Sequence, residues 1–241
     1  MYIYLIAMLC LFLTSGLAKA EDLPIVFEDY PPYEYFEDGE VKGINMDLIR
    51  EAFRRMGVRP YFEPRPWKRA ILQLKTGEIL ALSSGFKTPE REKFGVFPDS
   101  PLAEETNVMM TLKGSGVEID FIDDLHNYSV GVVSSYVYGK AFDDLVGLEK
   151  KEAQSTHQLV KMLLNRRVDV VVGSENVLRY LLKKQGKLDQ VEVLYKLNSE
   201  PLYLFFSRAR GQEAKDLAQR FSKAIWSMKK DGTFDGIKAR Y

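Results

Sequence analysis

The chain has 241 residues, 46% of them hydrophobic. That length suits one large domain or two small lobes, and the apolar share supplies a sizeable core and excludes a disordered chain. Lys plus Arg and Asp plus Glu each number 34, so the formal net charge is zero and the basic balance of a nucleic-acid binder is missing.

Residues 1–20, MYIYLIAMLCLFLTSGLAKA, are apolar and end in Ala18-Lys19-Ala20 before Glu21-Asp22. This A-x-A pattern predicts a cleavable export signal, because the apolar stretch Tyr2–Leu17 is short for a membrane span. Cys10, the single cysteine, lies inside it, so the mature chain has neither disulfides nor thiol chemistry. His126 and His157 are the two histidines, and neither sits in a metal or triad motif.

After the signal, Leu23–Phe27 reads as a strand, Tyr30-Pro31-Pro32-Tyr33 as a rigid turn and Asp38-Gly39 as a hairpin turn. Apolar residues at helical spacing predict a helix over Asn45–Met56 that stops at Gly57. Pro60–Pro64 reads as a second strand, Lys68–Thr76 as a helix closed by Gly77, and Ile79–Leu82 as a third strand. Then comes S-G-F-K-T-P-E-R at residues 84–91. Thr88 suits an N-cap and Pro89 the first helical position. Arg91 then falls in the first turn, where the helix dipole favours anions and disfavours cations. A cation placed there suggests an anion beside it.

The middle repeats the grammar. Ser129–Val133 reads as a buried strand, with Ser134-Ser135 capping a following helix. Ser155 or Thr156 caps a helix to Arg166. Val168–Val172 is a strand, Ser174 caps a helix ending near Gly186, and Val191–Lys196 and Leu202–Ser207 are two further strands. Gln212–Lys230 is a long amphipathic helix stopped at Gly232. Strands alternating with helices argue for α/β architecture with parallel βαβ units.

The order Y-P-P-Y (30–33), G-I-N-M-D-L (43–48), P-W-K-R-A-I-L-Q-L-K-T-G (66–77), S-G-F-K-T-P-E-R (84–91), V-G-V-V-S-S-Y (130–136), R-V-D-V-V-V-G-S-E (167–175) and W-S-M-K-K-D-G-T-F-D-G-I (226–237) resembles the bacterial extracellular solute-binding proteins of family 3. These are periplasmic receptors of polar amino-acid ABC importers. The resemblance implies a type II periplasmic-binding-protein fold, with two α/β lobes of mixed sheets flanked by helices and two hinge crossings. The expected division is lobe 1 at residues 21–109 plus 201–241, lobe 2 at 114–196, and crossings at 110–113 and 197–200. It also implies a periplasmic monomer that closes around a small carboxylated solute and delivers it to an inner-membrane permease, with no cofactor and no covalent chemistry. The alternatives are a ligand-binding partner of a membrane sensor and, further off, a dehydratase on cyclic amino-acid precursors with Glu175 as general acid.

By the same resemblance, Arg91 grips the ligand α-carboxylate, for which a guanidinium fork is well shaped. The alternative is a surface arginine paired with Glu90 or Glu92. Ser84 and Gly85 would offer a hydroxyl and close backbone approach, although the turn is one residue shorter than the family's S-G-M-T-I-T-P-E-R. Tyr30 and Trp67 would wall the ligand side chain, or pack in the core. Ser134, Ser135 and Tyr136 would form a second anion-holding helix start, with Tyr136 intruding on the pocket. Ser174 stands where the amino-acid binders usually carry an aspartate for the ligand ammonium. Either Glu175 turns inward to supply the charge, or the ligand lacks a standard α-amino group; Ser174 otherwise serves only as an N-cap. Standard amino acids are therefore expected to bind weakly.

Overall fold

A computed structural model describes residues 22–241; the export signal expected over residues 1–20 lies outside them. The first half contains β1 (Asp22–Phe27), β2 (Tyr35–Glu37), β3 (Glu40–Lys42), α1 (Ile44–Met56), β4 (Arg59–Pro64), α2 (Trp67–Thr76), β5 (Ala81–Phe86), α3 (Pro89–Glu92), β6 (Gly95–Val96) and β7 (Ala103–Leu112). The second contains β8 (Val130–Val133), α4 (Lys140–Asp143), β9 (Lys150–Ala153), α5 (Thr156–Leu164), β10 (Val170–Ser174), α6 (Glu175–Lys184), β11 (Val191–Ser207), α7 (Gln212–Lys230) and α8 (Thr233–Lys238).

The local signals that shape these elements are ordinary ones. Gly57 and Gly77 end α1 and α2 in the left-handed conformation, which costs a residue without a Cβ nothing. The β2–β3 hairpin turns at Asp38-Gly39, both at positive φ, as a tight hairpin connection requires. Ser155 and Ser174 accept the backbone N–H of Gln158 and Val177 and so cap α5 and α6.

One nine-stranded mixed sheet runs in the order β4-β1-β5-β11-β7-β10-β8-β9, with β6 beside β11. At one end β1 pairs in parallel with β4 and β5; at the other β8 pairs in parallel with β9 and β10. The antiparallel β7–β11 pair joins them. The C-terminal part of β11 pairs with β5, and β7 carries β10 through Asn107–Met110. Around the β4-β1-β5 end, α1, α7 and α8 bury Phe53, Phe221, Ile225 and Phe234 against Phe27 and Phe206. At the other end, α5 and α6 bury Leu159, Val160, Leu178 and Leu182 against Val171 and Val108. The C-terminal helices thus return to pack on the N-terminal strands.

Three elements differ from the sequence reading. The two strands expected at 191–196 and 202–207 form a single strand, because β7 supplies partners from Leu112 to Ala103 along the intervening segment. The irregularities at Val193/Tyr195 and Lys196/Asn198 mark where that strand bends without breaking. The third strand extends through Phe86, since β11 pairs Leu202 with Phe86 and Tyr203 with Gly85. No helix starts at Ser134-Ser135; a turn with Ser135 at φ 66 leads into an irregular stretch before the short α4.

Candidate functional site

Arg91 is 6% exposed. Its backbone N–H donates to Thr88 Oγ1 at 3.2 Å, which fixes the first turn of α3. Its guanidinium turns inward, donates from Nη1 to the Phe86 carbonyl at 3.1 Å and lies 5.1 Å from the Trp67 ring centre. The surface-pair alternative fails, since Glu90 pairs with Lys93 and Glu92 with Lys87. Among the described residues Arg91 makes no ion pair within 4.0 Å, and burial lowers its pKa to about 10. Asp143 acts on it only at longer range, and a buried cation that makes no direct ion pair is costly, so this position favours an anion.

The Arg91 side chain lines a small cavity. Tyr30, Trp67, Ser84 and Tyr136 share its wall. Ser84 sits at φ 60, where the β5–β11 register shifts, and this irregularity goes with Ser84 facing the cavity while Gly85 does not. A Cβ on Gly85 would come within 2.4 Å of the Phe205 ring, so this glycine serves packing behind the wall. Tyr136 packs edge-on against both Tyr30 and Trp67, with centroids 6.0 and 5.9 Å away, and donates its hydroxyl to Glu28. The Trp67 indole N–H donates to the Ser135 carbonyl at 3.1 Å.

The other expected residues fall outside the cavity wall. Ser134 is buried and its N–H is spent on the Ala153 carbonyl; Ser135 is exposed. Neither sits at a helix start, so the second anion hold expected there has no helical N–H groups behind it. Ser174 is buried, opposite Asn107 across the β10–β7 ladder, with its hydroxyl on the Val177 N–H. Glu175 turns away, 2.8 Å from Arg179 and 3.9 Å from Lys196.

Sequence reasoning missed three acids in the wall. Glu28, Glu34 and Glu105 are 6, 1 and 3% exposed, and all line the cavity, as does Asn107. Burial raises all three carboxyls, to about 7, about 8 and about 7. Glu34 accepts from Ser83 and Ser84, the latter at 2.6 Å, and Asn45 donates to Ser84 at 2.7 Å. Glu28 takes the Tyr136 hydroxyl. Glu105 Oε2 is buried with no hydrogen-bond partner. A signal did exist for Glu105: it shares a strand face with Asn107 and Met109, and two polar residues on a buried face mark a site. Glu28 directly follows the apolar run of β1, and Glu34 follows Y-P-P-Y, positions that read only as strand end and turn.

The cavity therefore offers one buried cation, three buried acids and three aromatic rings that carry a polar tip. This is a setting for a small, polar, charged molecule held by non-covalent contacts.

The model of the bacterial extracellular solute-binding proteins, family 3, matches residues 25–241. The arginine-binding periplasmic protein of Mannheimia haemolytica is 25% identical over 228 residues, which cover 91% of this chain and 90% of that one. Among solved structures, the arginine-, lysine-, histidine-binding protein ArtJ from Geobacillus stearothermophilus superposes with a TM-score of 0.80 at 22% identity, covering 92% of this chain and 95% of that one. A histidine kinase sensor domain with similarity to periplasmic binding proteins gives a TM-score of 0.81 at 18% identity, covering 92% and 96%.

Proposed function

The chain belongs to the bacterial extracellular solute-binding proteins, family 3, and from that premise we propose that it captures an amino acid with a cationic side chain for an ABC importer. The observation that carries this reading is the buried Arg91, which makes no ion pair within 4.0 Å among the described residues, in a cavity whose wall also holds Glu28, Glu34 and Glu105. Arg91 receives the ligand carboxylate as a fork of donors. Tyr30, Trp67 and Tyr136 sandwich the side chain, and Glu28 faces its cationic end. Closure of the two lobes over the ligand excludes water and strengthens each of these charge contacts. Binding needs no covalent step, and the role expected for Glu175 as a general acid has no support, since its carboxylate is committed to Arg179 outside the cavity. Uptake from the periplasm follows from the family's place beside a permease.

The expectation of weak binding by standard amino acids rested on Ser174 alone. The acids of the wall remove that argument, and arginine-binding relatives support the opposite reading. The sensor-domain likeness extends to the fold.

Calorimetry with L-arginine, L-lysine and L-histidine tests the proposal, with agmatine as the arginine analogue that lacks the carboxylate. Arg91→Ala is expected to weaken L-arginine by about 2–5 kcal/mol and to leave agmatine nearly unchanged. Wild-type protein that ignores all three amino acids, or an Arg91→Ala variant with undiminished affinity, overturns it.

A further inference from the structure

Arg91 provides for one end of a zwitterion, and the usual position for the other end carries the neutral Ser174. Its hydroxyl caps α6, and its neighbour Glu175 points to Arg179 and Lys196. Three acids remain in the cavity. The Glu28 carboxylate is taken up by the Tyr136 hydroxyl, and that of Glu34 by Ser83 and Ser84. Glu105 alone of the three keeps a buried oxygen without a partner. It also makes no ion pair within 4.0 Å among the described residues. The β7–β10 register sets Ser174 opposite Asn107, two residues along the same face from Glu105. Residues so placed are diagonal neighbours across a ladder.

We propose that Glu105, projecting from the crossing strand β7, holds the ligand α-ammonium in place of the acid that Ser174 lacks. This rests on the reading of the ligand as an amino acid. A buried carboxylate with a free oxygen and a buried guanidinium without a counter-ion, unpaired with each other on one cavity wall, complement a molecule that carries both charges. Tyr30 and Ser174 face the Glu105 carboxyl, and Glu105 in turn faces Tyr33 and Glu34; none of these groups is a cation. An arriving ammonium therefore supplies the one positive partner. The charge has moved from the start of α6 to a strand of the hinge pair, so a neutral residue at position 174 no longer implies a ligand without an amino group.

The test is calorimetry with L-arginine and with δ-guanidinovaleric acid, the same molecule without its α-amino group. Glu105→Gln is expected to weaken L-arginine by about thirtyfold or more and δ-guanidinovaleric acid by less than about threefold. Adding Ser174→Asp to Glu105→Gln restores most of the arginine affinity by returning the charge to the neighbouring strand end. Glu105→Asp, which keeps a carboxylate in the fold should Glu105→Gln not fold, weakens L-arginine selectively by a smaller factor. Equal losses for both ligands, or undiminished arginine binding in Glu105→Gln, overturns the role of Glu105 and leaves the arginine reading standing. Wild-type protein that binds none of L-arginine, L-lysine and L-histidine overturns the ligand reading itself, and this role with it.

Discussion

The buried carboxyls set how the cavity responds to pH. Glu28, Glu34 and Glu105 are raised by burial from the usual 4.5 to about 7, about 8 and about 7. Glu34 is also pushed up by its neighbours Glu28 and Glu105, a like-charge effect. The folded ligand-free protein therefore holds more protons than the unfolded chain above pH 4.5. Stability must then fall as pH rises, fully present below the unfolded value and lost through the folded ones. Acids with ordinary salt bridges act elsewhere: Glu51 is lowered to about 2 by Arg54 and Arg55. His126, whose two ring nitrogens face the Asp123 and Val146 carbonyls, is raised and adds a loss of the same sign, but it stands outside the cavity. The melting temperature of ligand-free protein is expected to drop between about pH 5 and about pH 8. Saturating L-arginine is expected to shrink that drop, because a bound cation lowers the carboxyls and leaves His126 untouched. A flat ligand-free profile, or a drop equally large with ligand, contradicts this account.

At the scale of elements, what the sequence made legible were the parts specified locally. The glycine stops of α1 and α2, the Asp38-Gly39 hairpin, the serine caps and the whole of α7 follow from residues within a turn or two of one another. The crossing strands were not legible, because β7 and β11 are held by pairing between residues about ninety positions apart, such as Asn107 with Asn198. The missing helix after Ser135 has the same origin. Ser134 donates to β9, and Tyr136 is drawn to Glu28 across 108 residues. The site followed suit: Arg91 was found from its place in a first turn, whereas the polar face that Glu105 shares with Asn107 becomes readable only once β7 is known to be a buried strand. Gly85 shows how an element can explain a residue in another way than a motif does. Its missing side chain admits the Phe205 ring, which is fully buried and stacked on Phe97 at 4.7 Å. The buried Phe205 ring lies in the way of an added methyl group, so Gly85→Ala is expected to destabilise the fold by about 1–3 kcal/mol. A urea titration reads this as a lower midpoint at unchanged slope. A midpoint equal to that of the wild type would mean that β5 shifts freely and that the packing role is wrong.

Across the whole molecule, the cavity lies where the two ends of the sheet face each other, and a few polar contacts bridge them. Trp67 donates to the Ser135 carbonyl, Tyr136 to Glu28, and Asn176 to the Tyr33 hydroxyl at 2.9 Å, while Lys184 pairs with Glu37. Two of the four involve the segment 135–136, and the contact to Glu28 is the one made to a buried acid. A hydrogen bond to a charged acid contributes about 1.5–3 kcal/mol, more than an exposed pair such as Lys184–Glu37. The Tyr136 hydroxyl is therefore the bridge that matters most to the closed arrangement without ligand. Tyr136→Phe removes it while keeping the ring against Tyr30 and Trp67. If the lobes swing about β7 and β11, this variant is expected to open when empty, with a population shift on the order of ten- to a hundredfold. Small-angle scattering would then give a larger radius of gyration for the empty variant than for the empty wild type. Saturation with L-arginine should bring the two to the same value, since in the proposed pose the ligand packs against the Tyr136 ring as well as Tyr30 and Trp67 and so holds both sides of the cavity. Identical scattering of the two empty proteins would place the closing free energy in the aromatic contacts instead of the hydroxyl, and Trp67→Ala would become the variant that opens the cleft.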